Sequence, residues 1–111
     1  MDNEMDIEKL AMQLIVNSGE AKSKTMEAIS YAKKGNIASA KKLLEEAGEF
    51  LTKAHEFQSD IIQDEAEGKL KDISILLVHA QDHLMNAVIV IDLAREFIDL
   101  YEKISGNREE G

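Results

Sequence analysis

The sequence has no cysteine. Disulfides, thiolate metal sites and thiol nucleophiles are therefore excluded. It has no proline either, and only six of its 111 residues are glycine. An all-β fold of this length needs many turns, so such scarce turn chemistry predicts long helices with few connections. Basic residues are also in deficit: 13 Lys and Arg face 22 Asp and Glu, a net charge of −9. Phosphates repel such a chain, which argues against general nucleic-acid binding. It offers no Lys/Arg cluster to an anionic membrane. The N-terminal stretch holds Asp2, Glu4, Asp6 and Glu8 but no basic residue. No signal peptide is expected from it, and the cytoplasm is the expected location.

Hydrophobic residues at 44% and charged residues at 32% fit one globular domain. Spacings of three and four residues predict a first helix from about Asp6 to Lys34, with a face that includes Leu10, Ala11, Leu14, Ser18, Ala21, Thr25 and Ala28. Gly19 falls inside it in phase, which reads as a bend or a close packing contact. Gly35 suits a left-handed helix end, and Asn36 is placed to cap the next helix. That helix runs from about Ile37 to Ala66, antiparallel to the first, with Ala40, Leu43, Leu44, Ala47, Leu51, Ala54, Gln58, Ile61 and Ile62 on its face. The charged connection Glu67–Asp72 is the expected mobile loop. Asp72 or Ser74 caps a third helix that ends near Ile104, and Ser105–Gly111 reads as a disordered polar tail. The expected fold is thus an all-α, antiparallel three-helix bundle over residues 1–104, with a tail over 105–111.

The third helix is the unusual one. Ile73–Leu93 is long and apolar enough to resemble a membrane span, but His79, Asp82, His83 and Asp92 interrupt it, and such groups are costly in hydrocarbon. It reads as a buried helix of a soluble protein, with no direct membrane insertion. Its run Val88-Ile89-Val90-Ile91 is apolar in every direction. Two neighbours in a monomeric bundle leave part of such a helix bare. Other copies of the same chain, arranged cyclically, are the simplest cover.

One band of this helix is polar: His79, Asp82, His83 and Asn86 share a face about 100° wide. Three readings compete. The four can be core polar residues that satisfy one another or fix the register of an oligomer, as a buried Asn does; this suits Asn86. His79 and His83 at i, i+4 can bind a metal, but the pair lacks the Glu of H-E-x-x-H and a third ligand at matching spacing. The remaining His55, beside Glu56 on the second helix, reads as a solvated residue. If symmetry gathers several Asp82 carboxylates, a hard cation such as Mg²⁺ would relieve their repulsion. Alternatively, neutral His79 is a nucleophile through a ring nitrogen and carries a transferable phosphoryl group. A chain with a reactive His and no phosphate loop or nucleotide fold suits a carrier acting between proteins.

The stretch Ser74-Ile75-Leu76-Leu77-Val78-His79-Ala80-Gln81-Asp82-His83-Leu84-Met85 resembles the signature of the lactose/cellobiose-type enzyme IIA family of the bacterial sugar phosphotransferase system (PTS). Ile15-Val16-Asn17-Ser18-Gly19-Glu20-Ala21-Lys22-Ser23 resembles the family's first helix, and Ala54-His55 with Gln58 its second. The resemblance runs from about Ile7 to Ile104. It implies a homotrimer of three-helix subunits. It implies that His79 is phosphorylated on Nε2 by the carrier HPr and passes the phosphoryl group to a Cys of the cognate enzyme IIB. It further implies that Asp82 meets its symmetry mates at the trimer axis and binds one Mg²⁺ per trimer. Sugar would be bound by the membrane enzyme IIC, so the identity of the sugar is not legible in this chain. His83 is a candidate for contact with the phosphoryl group or Asp82, and an interface role is an equal reading. Gln81 is given no catalytic role. Two further alternatives are a structural helical oligomer without phosphotransfer and a two-component His phosphotransfer module. The latter usually works from a four-helix bundle, which this chain is too short to form alone.

Overall fold

A computed structural model describes residues 3–70 and 73–110. Its elements are α1 (Asn3–Lys33), α2 (Ile37–Ala66) and α3 (Ile75–Glu110), and no strand occurs among the described residues. The helices pack side by side into a rod of 64 × 19 × 16 Å. At one end Ala11 and Leu14 of α1 meet Ala54 and Ile61 of α2 and Leu77, Ala80 and Leu84 of α3. At the other, Ala28 and Ala32 meet Ala40 and Ile98. The order along the rod makes α1 and α3 parallel to each other and α2 antiparallel to both.

The buried positions repeat with a period of seven. On α3 they are Leu77, Ala80, Leu84, Ala87, Ile91, Ala94 and Ile98, and on α2 they are Ala40, Ala47, Ala54 and Ile61. Alternation of bulky and small residues lets the layers interdigitate at native density. Because so much of the core is alanine, each layer buries little apolar area. A fully buried Leu or Ile is worth about 1.5–3 kcal/mol, so Leu14, Leu84 and Ile91 carry much of the hydrophobic gain.

The two connections are closed by glycine in the left-handed region, Gly35 at φ 87° and Gly68 at φ 74°. The residue after each glycine donates back across the helix end: Asn36 N–H to Tyr31 O at 2.9 Å and Lys69 N–H to Asp64 O at 2.9 Å. Carbonyls that the helix leaves unpaired are satisfied this way. Asn36 caps α2 by accepting from Ser39 N–H at 3.2 Å. Ser74 caps α3, its hydroxyl accepting from Leu77 N–H at 3.1 Å; Asp72, the other expected cap, lies outside the described residues, as does Lys71. α1 passes through Gly19 unbroken, and a Cβ placed there meets nothing within 4 Å, so no packing contact inside the chain requires this glycine.

α3 continues to Glu110, past the end expected near Ile104 and over most of the segment read as a tail. No proline follows Ile104, and no left-handed glycine does so among the described residues, to stop it. Of the expected α1 face, Ala11, Leu14, Ser18, Ala21, Thr25 and Ala28 are buried and Leu10 is half-buried; Asn17 is buried as well, and its Nδ2–H donates to Gln13 O at 2.8 Å. The buried Ser18 hydroxyl has no partner among the described residues. Ile62, expected on the core face of α2, points outward.

α3 is long and apolar enough to cross a membrane by composition, yet it is buried on one side only. Opposite its core positions runs a second apolar series: Ile75, Val78, Met85, Ile89, Leu93, Phe97, Leu100 and Ile104, all exposed. Val78 at 57% and Ile89 and Leu93 at 53% stand open in one continuous apolar strip, the kind of surface that marks a contact site. The single chain therefore does not cover this helix.

Candidate functional site

The polar band lies in the N-terminal third of α3, on and beside this outward series. Asp82 stands between Val78 and Met85, at a spacing of four and three residues, near the centre of the exposed apolar strip. His79, Asp82 and Asn86 are exposed and His83 is half-buried. The four are thus brought together as the sequence predicts, but within one chain they are not buried. Asp82 has no salt-bridge partner among the described residues.

His79 and His83 touch. Their Nε2 atoms are 3.0 Å apart, with ring centroids at 4.5 Å and planes at 88°. The helix brings the two rings within reach of each other, since residues four apart stand one above the other on one face. His55 is exposed on α2 and its Nδ1 lies 3.1 Å from Leu51 O, so it is not drawn into the site. No group of three or more metal-ligating side chains forms within the chain among the described residues. A metal at Asp82 therefore needs oxygen atoms from elsewhere.

The flank opposite the histidines is tied to α2. Gln58 donates its Nε2–H to Oε1 of Gln81 at 2.7 Å, with both side chains partly buried. Periodicity alone placed Gln58 on the α2 core face and gave no pairing; a long amide at a core position was the signal, because such a group needs a partner. Gln81 and Val78 also line a shallow groove of about 210 Å³ with Ile61, Ile62, Ile73 and Leu77. A larger groove of about 1080 Å³ lies between the start of α1 and the end of α2, lined by Leu10, Met12, Phe57, Asp60 and Asp64 among others, and excludes all four residues of the polar band. His79 thus stands exposed on the surface of the single chain and lines neither groove.

Comparison with known proteins places the fold in a family. The family model described as "PTS system, Lactose/Cellobiose specific IIA subunit" matches residues 9–102. The lichenan-specific phosphotransferase enzyme IIA component of Bacillus subtilis is 48% identical over 103 residues, covering 93% of this chain and 94% of that protein. The crystal structure of the PTS cellobiose-specific enzyme IIA from Bacillus anthracis superposes with a TM-score of 0.86 at 51% identity, covering 90% of this chain and 92% of the other. The IIA chain in the solution structures of the IIA(Chitobiose)–HPr complex from Escherichia coli gives 0.76 at 41% identity, covering 88% and 95%. With the family model spanning most of its length and relatives near half identical, the chain belongs to the lactose/cellobiose-specific IIA family of the phosphotransferase system.

Proposed function

We propose that this chain is a cytoplasmic phosphocarrier that takes a phosphoryl group from phospho-HPr on Nε2 of His79 and hands it to a Cys of a cognate enzyme IIB, in service of a membrane enzyme IIC. The observation that carries the reading is the exposed His79 imidazole on an open face of α3, in a chain of the IIA family. The HPr-bound chitobiose relative supports HPr as the donor. Transfer between two proteins needs a nucleophile that both can reach, with little covalent machinery beyond positioning and charge stabilisation. The donor's N–P bond breaks as the His79 Nε2–P bond forms, and the phosphohistidine then yields its phosphoryl group to a thiolate.

The working unit in this reading is a homotrimer around α3. The exposed apolar series supports it, because copies of the same helix would cover Val78, Met85, Ile89 and Leu93. Asp82, central in that series, would then face its symmetry mates. Three carboxylates supply hard oxygen donors that fit one Mg²⁺ per trimer, which would offset their mutual repulsion.

The test is the intact mass after incubation with phosphoenolpyruvate, enzyme I and HPr. One phosphoryl per chain is expected, lost in His79→Ala. No gain, or a gain that survives that substitution, sinks the reading and leaves a structural oligomer.

A further inference from the structure

Two neutral imidazoles joined through their Nε2 atoms must divide the roles. One ring donates its Nε2–H and the other accepts with the Nε2 lone pair, so they cannot share a tautomer. The 3.0 Å separation puts His79 and His83 in this relation, with the rings T-shaped at 88° and not stacked.

We propose that His83 is the donor, and that it holds His79 in the Nδ1–H tautomer with its lone pair on Nε2. The inference rests on the reading that His79 reacts through Nε2. Exposure favours this assignment. His79 is exposed, so its Nδ1–H meets water freely. In the reverse assignment half-buried His83 would carry an Nδ1–H with no protein acceptor among the described residues. An unpaired donor is tolerated less well than an unpaired acceptor, so the less exposed of the two rings is the one better left with a bare Nδ1.

The consequence is chemical. An imidazole with hydrogen on Nε2 has no lone pair there and cannot attack phosphorus through that atom. A free, solvated imidazole divides itself between the two tautomers, and only one is competent. The His83 bond selects the competent form before a donor arrives. His83 is thus a positioning residue, and its own proton is not transferred. The donor is a phosphorylated imidazole protonated on its second nitrogen. As phosphorus moves to His79 Nε2, the donor ring leaves neutral, keeping that proton. His79 retains its Nδ1–H, so the phosphorylated ring gains the positive charge that the donor ring lost. The His83 N–H comes off Nε2 as the new bond forms.

The experiment uses full-length protein labelled with ¹⁵N-histidine, read by long-range ¹H–¹⁵N correlation above the ordinary imidazole range, near pH 8. His79 is expected to show a protonated Nδ1 and a bare Nε2. His83→Ala should move both signals towards a tautomer average. It should also slow single-turnover phosphoryl uptake from phospho-HPr by about two- to tenfold, the reciprocal of the competent fraction, with the half-saturating HPr concentration unchanged. His83→Gln, which keeps an N–H donor on the same turn, should restore the signals and the rate. A protonated Nε2 or an averaged pattern on wild-type His79, or a pattern indifferent to His83→Ala, overturns the inference. A protein whose phosphoryl group never reaches His79 overturns the phosphocarrier reading instead, and the tautomer spectrum separates the two failures.

Discussion

Gln58 on α2 and Gln81 on α3 are joined by a single hydrogen bond of 2.7 Å, and Gln81 is the residue immediately before Asp82. The bond fixes the rotation of α3 on the side away from the histidines. Truncating one partner leaves a partly buried amide unpaired. Gln58→Ala or Gln81→Ala should each cost about 1–2 kcal/mol, and the double substitution less than the sum, a coupling of about 0.5–1.5 kcal/mol. Urea unfolding of the four proteins measures it, and strict additivity would show that the bond contributes nothing.

The two glycines at positions 19 and 35 should respond in opposite ways. Gly35 sits at φ 87°, where a Cβ is strained; Gly35→Ala should destabilise by about 1–2 kcal/mol. Gly19 is interior to α1 with open space around it, so Gly19→Ala should stabilise the subunit by up to about 1 kcal/mol. Thermal melts give both signs. A loss at Gly19 accompanied by a fall in oligomer mass would mean that another copy packs against that face.

Ser18 is a third probe of the core. Its hydroxyl is buried and has no partner among the described residues, whereas the Thr25 hydroxyl donates to Ala21 O at 2.6 Å. Removing an unsatisfied hydroxyl relieves a desolvation penalty, so Ser18→Ala should be neutral or stabilising by about 1 kcal/mol. Thermal unfolding decides it: a clear loss would mean that the hydroxyl has a partner in the assembled protein.

Assembly can be tested on α3 directly. Light scattering should give about three times the 12.4 kDa chain mass, and Ile89→Glu should reduce it to that of a single chain, because a charge would enter an apolar contact. Asp82→Leu should keep the trimer and abolish any Mg²⁺-dependent rise in melting temperature, since an apolar plug replaces repelling carboxylates. Loss of assembly in Asp82→Leu, with wild-type stability indifferent to Mg²⁺, would contradict the metal role.

The pair Glu67–Lys69 sets a pH window for the end of α2. Lys69 bonds Glu67 at 2.9 Å. That bond lowers the Glu67 carboxyl below its ordinary 4.5 and raises the Lys69 ammonium above its ordinary 10.5. The Glu67 contribution is present above pH 4.5 and is lost as pH falls through the lowered value. The Lys69 contribution is present below pH 10.5 and is lost as pH rises through the raised one. Amide protection at Gly68 and Lys69 should be flat between these limits and fall below the acid one; a decline already at neutral pH would show that the pair does not set it. Both groups are exposed, so the effect is local.

Much of this architecture is legible in the sequence because its signals are local. Asn36, Ser74, Gly35 and Gly68 each act within one turn of chain, and the α2 limits at Ile37 and Ala66 fall where those signals put them. The core face of α1 is legible for the same reason, since only one of its sides has the right period. α3 is different. Leu77, Leu84 and Ile91 compete with Val78, Met85 and Ile89 for the interior, and both sets have helical spacing. Periodicity cannot choose between two apolar faces, whereas the alanines that α1 and α2 present select the set that interleaves with them. The polar band is placed by its spacing, but the Nε2 contact of His79 and His83 depends on rotamers that spacing does not specify.

The seven-residue recurrence of buried positions also limits how the chain can change in length. One residue inserted between Ala47 and Ala54 would rotate everything after it by about 100° and turn Ile61 and Gln58 out of the interface. Seven inserted residues would leave the faces within about 20° of their present phase. Deletions obey the same arithmetic. Only the connections at Gly35-Asn36 and after Gly68 can gain or lose residues singly without disturbing the layers, so length variants of this bundle should differ at those two places or by whole heptads.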